Sequence, residues 1–206
     1  MTISENTADI TDLHAAARLL TEAHLASACG RLLGSATITT PDPAVAAYTD
    51  ILTTALRRGH LDLAYHGGEV VGAACWISHP ARHAPATDGP APTVSRLPRR
   101  ARPGGPARDL LDRLNVLDEA FPATGRAHLH LACLGIRPGR DPRPVTGLLL
   151  HRRQYAADRD GHRLHAEVHT PAEQAWLHDR GYRQDGISLT LSSAERSWAM
   201  VRAPQT

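Results

Sequence analysis

The feature that most restricts this chain lies in its last third. An apolar strand-like run over 127–136 is followed by a helical run over 144–160 that stops at Gly161, and then by a second strand-like run over 163–169. Two strands joined through a helix cannot pair as a hairpin. The helix carries the chain back across one sheet face, so the strands pair in parallel with a right-handed crossover. A short helix over 171–179 and closing strands over 188–191 and 198–202 complete the pattern. The expected fold class is α/β, a mixed sheet flanked by helices.

The first part of the chain is consistent with that architecture. A helix over 11–26, capped by Thr11, places Leu13, Ala16, Leu20 and Ala23 on one face. A second helix is expected with Asp42 as cap, Pro43 in the first helical position, and Arg57, Arg58 and Gly59 closing it. The period then changes to two. Leu61, Leu63 and Tyr65 alternate with polar residues as far as Gly67 and Gly68, and 69–77 reads as the returning strand of a hairpin. Residues 80–107, rich in Pro, Gly and Arg, read as a variable loop, and 109–121 as a further helix. No internal repeat interrupts 1–206, so a single domain is expected.

Composition removes several functions. All 23 basic residues are Arg, so neither a Schiff-base lysine nor a lysine general base is available. A net charge of +2 provides no global attraction for nucleic acid, and the run Arg96, Arg99, Arg100 and Arg102 lacks interleaved aromatics. No 18-residue apolar stretch or basic, apolar N-terminal segment is present, so neither membrane insertion nor secretion is expected. Cys29, Cys75 and Cys133 are odd in number and widely spaced, which suits a reducing, cytoplasmic setting.

Residues 128–182 carry, in order, a strand, Leu134-Gly135-Ile136-x-Pro138, a loop, an apolar helix, a strand, a short helix and Arg180-Gly181-Tyr182. This succession resembles the acetyl-CoA-binding half, 127–183, of the GNAT acyltransferases. Across residues 8–204 the likeness within that superfamily is greatest to the puromycin N-acetyltransferase group. The resemblance implies a sheet whose two central parallel strands splay apart, with acetyl-CoA as co-substrate in the opening and a small-molecule amine as acceptor. It is compatible with a monomer or a homodimer. Pantetheine would pair with the backbone at Leu134, Gly135 and Ile136. Pyrophosphate would meet the following helix at Val145, Thr146 and Gly147, where a helix N-terminus offers free N–H groups and a positive dipole end.

The chain departs from that family at two places. Its phosphate loop reads Asp141-Pro142-Arg143-Pro144-Val145-Thr146, with Gly147 beyond the usual glycine window. Two prolines remove N–H donors, Asp141 adds a negative charge, and Pro144 reads as the start of the helix. Among Arg137, Arg140, Arg143, Arg152 and Arg153, any could compensate by binding phosphate through its side chain. Arg140 and Arg143 are the expected cofactor ligands. At the position of the family's tyrosine acid stands Leu177, which cannot donate a proton, and its neighbour His178 is the candidate acid. Glu173 stands where the family has an asparagine.

His130 is the candidate general base, because it matches a carboxylate used by several relatives and imidazole titrates near neutral pH. His128 and His130 share one strand face, as do His165, Glu167 and His169 on the next. With 13 histidines such patterns arise by chance, and no metal is expected. The functional expectation is an acetyl-CoA-dependent N-acetyltransferase. The alternative is a degenerate member that binds a ligand or performs other chemistry.

Overall fold

The structure, a computed structural model, describes residues 4–7, 12–26, 41–79, 127–185, 189–192 and 195–205. The expected loop over 80–107 and helix over 109–121 lie outside the described residues. In chain order the elements are β1 (Ser4–Thr7), α1 (Leu13–Ala26), α2 (Pro41–Arg58), β2 (Gly59–His66), β3 (Glu69–His79) and β4 (His128–Ile136). Then come α3 (Pro142–Asp160), β5 (Arg163–Val168), α4 (Pro171–His178), β6 (Arg183–Gln184), β7 (Leu189–Ser192) and β8 (Glu195–Arg202).

The strands form one sheet in the order β1-β2-β3-β4-β5-β8-β6, with β7 paired to β8. Among the described strands only β4 and β5 run parallel, joined by α3 as the sequence requires. Gly67 and Gly68 turn the β2–β3 hairpin with φ of 60° and 81°, a conformation open to glycine at both positions. Two helix starts differ from expectation. α2 begins at Pro41, so Asp42 lies inside its first turn, and α3 begins at Pro142 rather than Pro144.

Strand alternation divides the core in two. Leu61, Leu63, Ala73 and Cys75 pack against Leu19, Leu20, Ile51 and Leu52 of α1 and α2. On the other face Ala64, Val71, Trp76, Leu129, Leu131 and Leu164 pack against Val145, Leu149 and Leu150 of α3. Both faces are covered, as a sheet with a crossover helix demands.

A bulge in β4 positions the site. Cys75 pairs with Cys133 and Trp76 with Leu131, so Ala132 is an extra residue with no partner of its own. Before it Leu129 and Leu131 belong to the α3 side; after it Leu134 and Ile136 do. The odd–even pattern therefore switches at Ala132. His130 and, beyond the bulge, Cys133 and Gly135 come to face the α1 side.

Gly135 lets α1 approach. A Cβ at Gly135 would stand 2.8 Å from Leu20 Cδ2 and 3.1 Å from Ala23 Cβ.

Candidate functional site

The parallel pair is incomplete. β4 and β5 are joined from His128↔Arg163 to Leu131↔Ala166, and there the pairing stops. Beyond that rung β4 runs on to Ile136 and β5 to Val168. Among the described residues, 132–136 thus present a strand edge with no sheet partner on the β5 side, and the bulge at Ala132 lies where the strands part. Unpaired N–H and C=O groups on such an edge are a template for an extended, amide-bearing ligand. Leu134, Gly135 and Ile136 all lie on this edge.

His130 sits just inside the last rungs, opposite His165. Its Nε2 is 3.8 Å from Glu167 Oε1, and the two side chains are 15% and 14% exposed. Glu167 follows Ala166, the last residue of β5 paired to β4, so it stands where the two strands separate. His79 of β3 stacks on His128 at 4.7 Å, His128 lies 4.3 Å from His165, and His79 is 6.0 Å from His130. Burial, then the neighbouring imidazoles His128 and His130 and the Arg163 charge, depress His165 to a pKa of about 3. It is therefore neutral at physiological pH. Among the described residues no group of three or more His, Cys, Asp or Glu is arranged to hold a metal.

At the other end of the opening, α3 closes its own N-terminus. Asp141 is the N-cap, and its Oδ1 accepts from the Arg143 N–H at 3.1 Å. A helix leaves the N–H groups of the cap and first three residues free. Here Pro142 and Pro144 have none, and that of Arg143 is consumed by Asp141. Only the Asp141 N–H remains of that set. Gly147 lies one turn further in, and a Cβ there would meet nothing within 4 Å, so packing does not require glycine. Val145 and Thr146 are buried, and the Thr146 hydroxyl donates to Pro142 O at 2.8 Å.

Three of the five arginines considered as phosphate ligands are engaged elsewhere. Arg153 is buried in a two-pronged pair with Asp62, Nε–Oδ2 at 2.5 Å and Nη2–Oδ1 at 2.6 Å, and Arg152 lies 3.9 Å from the same carboxylate. Arg137 donates to Glu69 at 3.2 Å and to Val70 O at 2.9 Å. Among the described residues, the side chains of Arg140 and Arg143 form no such pairs. Arg143 is exposed and Arg140 half-buried.

On α4, Leu177 is buried in the α3-side core, whereas His178, one position on, faces solvent at the helix end. Glu173 completes a capping box with Thr170, its carboxylate accepting the Thr170 N–H at 3.0 Å, which is a structural role. Sequence reasoning missed the Asp141 cap, although Asp followed by Pro is itself a helix-start signature. It also missed His79, which only the β3–β4 register brings to the cluster, and the pairing of Glu167 with His130.

No family model matches the chain, and no curated protein matches it. Solved structures do. A GNAT-family protein from Desulfovibrio desulfuricans is 14% identical with a TM-score of 0.57, covering 99% of this chain and 100% of its own. A Drosophila melanogaster polyamine N-acetyltransferase that forms N-acetylagmatine is 17% identical with a TM-score of 0.65, over 98% of this chain and 100% of its own. The C-terminal condensation domain of Ebony, in complex with beta-alanyl-dopamine, is 11% identical with a TM-score of 0.66, over 98% of this chain and 99% of its own. The chain has the GNAT acetyltransferase fold.

Proposed function

We propose that this protein is an N-acyltransferase that moves an acyl group, in the first instance acetyl, from a thioester to a small-molecule amine. The observation that carries the reading is the β4–β5 opening, with a bare strand edge on one side and His130 and Glu167 at its base. Neighbours of this fold include a polyamine acetyltransferase, which supports an amine acceptor. The likeness to the puromycin N-acetyltransferase group extends the candidate acceptors to antibiotic-like amines.

The acyl donor lies along Leu134, Gly135 and Ile136. For acetyl-CoA, the phosphates lie toward the α3 start, near Val145, Thr146 and Gly147, with Arg140 and Arg143, which form no ion pair among the described residues, as their cations. An amine arrives largely protonated and attacks only when neutral. His130 accepts the proton, and Glu167 at 3.8 Å favours the imidazolium that results. The amine nitrogen bonds to the carbonyl carbon, the C–S bond breaks, and the sulfur leaves as a thiolate. A free thiol has a pKa of about 8.5, so the thiolate is a competent leaving group in water. His178 is the candidate group for returning a proton to it, and the buried Leu177 makes no contribution there.

The test is thiol release from acetyl-CoA across a panel of primary amines, with the products identified by mass. Amine-dependent release with formation of an N-acetyl product supports the reading. Absence of release across polyamines, arylalkylamines and aminonucleosides contradicts it. A second reading, ligand binding without transfer, draws on the Asp141 cap, and it predicts saturable binding of an amine with no thiol released.

A further inference from the structure

The two halves of the donor site are built unequally. On the strand side, residues 132–136 leave about 16 Å of edge unpaired among the described residues, at roughly 3.3 Å per residue. That is room for an extended arm bearing two amides. On the helix side the anion position is filled from within: Asp141 caps α3 and takes the Arg143 N–H, while Pro142 and Pro144 supply no donor. A phosphate approaching this end meets a carboxylate placed where the phosphate itself would bind. Arg153, Arg152 and Arg137 cannot turn toward it without giving up Asp62 or Glu69.

We infer that the donor half of the site selects a pantetheine thioester and makes little use of the nucleotide. The inference rests on the acyl-transfer reading above and narrows its substrate class. The acyl-carrying sulfur and the two amides are recognised along β4, and the adenine nucleotide contributes only a weak attraction to Arg140 and Arg143. The chemistry is unchanged. A C–N bond forms, the C–S bond of the pantetheine thioester breaks, the amine proton passes to His130, and the free thiol leaves with a proton from solvent or His178. Two backbone hydrogen bonds to a charged phosphate are worth about 10²- to 10⁴-fold in affinity, and that advantage of CoA over pantetheine is absent here.

Calorimetric titration of the full chain with free CoA and with free pantetheine, both unreactive thiols, tests this without relying on turnover. The expected result is dissociation constants within about 10-fold of each other at physiological salt. Asp141→Asn keeps a good cap but removes the charge. It is expected to tighten CoA several-fold and leave pantetheine unchanged. CoA binding more than 10-fold tighter than pantetheine, or an Asp141→Asn change that leaves CoA binding unaltered, overturns the inference while leaving acyl transfer intact. Failure of both thiols to bind removes the inference and the acyl-transfer reading together.

Discussion

Arg153 of α3 and Asp62 of β2 form a two-pronged ion pair across the sheet, and they are 6% and 0% exposed. The pair ties the crossover helix to a strand two places from β4. It also fixes what Arg153 can do, since a buried guanidinium held at both prongs is not a ligand for phosphate in the opening. Removing one partner leaves an uncompensated buried charge, which costs about 3–5 kcal/mol. Asp62→Asn and Arg153→Met are each expected to lower stability by that amount in urea denaturation. A loss below 1 kcal/mol in both would show that the pair does not secure α3.

The histidine cluster makes stability depend on pH. His165 is held down to about 3 in the folded protein, against an ordinary value of 6.5, first by burial. The unfolded chain therefore binds its proton first. Stability is unaffected above 6.5, falls as pH drops below it, and stops falling near 3. The limiting slope is about 1.4 kcal/mol per pH unit. Partial exposure of the ring and solvent screening reduce it. His24 and His60 are also lowered, chiefly by burial, and act in the same direction. Urea midpoints at pH 7.5 and 5 should differ accordingly, and His165→Leu should reduce the difference. An unchanged midpoint in the native chain would contradict the burial of this ring.

Gly135 is predicted to be intolerant of larger residues. A Cβ there falls 2.8 Å from Leu20 and 3.1 Å from Ala23, so α1 must move away from β4. Overpacking of this kind costs about 1–3 kcal/mol. Gly135→Val should lose that much stability and weaken thiol binding along the same edge. Binding that is unaffected in Gly135→Val would argue that this edge is not the donor site.

Arg140 and Arg143 are predicted to account for whatever advantage CoA retains over pantetheine. Both are outside ion pairs among the described residues, and exposed charges are screened over about 8 Å at physiological salt. Double substitution to alanine should bring the two thiols to equal affinity at low salt. A CoA advantage that survives both changes would require donors from elsewhere.

The parallel β4–β5 pair was legible because a strand, a helix closed by Gly161 and another strand permit little else. The hairpin was legible from Gly67 and Gly68. The start of α3 was not, because two prolines two residues apart both satisfy the first-turn preference. Asp141 resolves that choice only once its side chain is seen on the Arg143 N–H. His130 could be nominated from the family position it matches, but the nearness of Glu167 could not. Glu167 meets it only through the His130↔His165 register and the parting of the strands beyond Ala166. The commitment of Arg153 to Asp62 joins residues 91 positions apart and leaves no local signal in the sequence.

The role proposed for His130, at the base of the opening, is to accept the amine proton during attack on a thioester. Its most direct test is the rate of amine-dependent thiol release by His130→Ala and Glu167→Gln, each measured against pH alongside calorimetric thiol binding. His130→Ala is expected to slow the chemical step about 10²-fold or more with thiol affinity unchanged. Glu167→Gln is expected to move the pH profile while leaving a measurable rate. Unchanged turnover in His130→Ala would contradict the account.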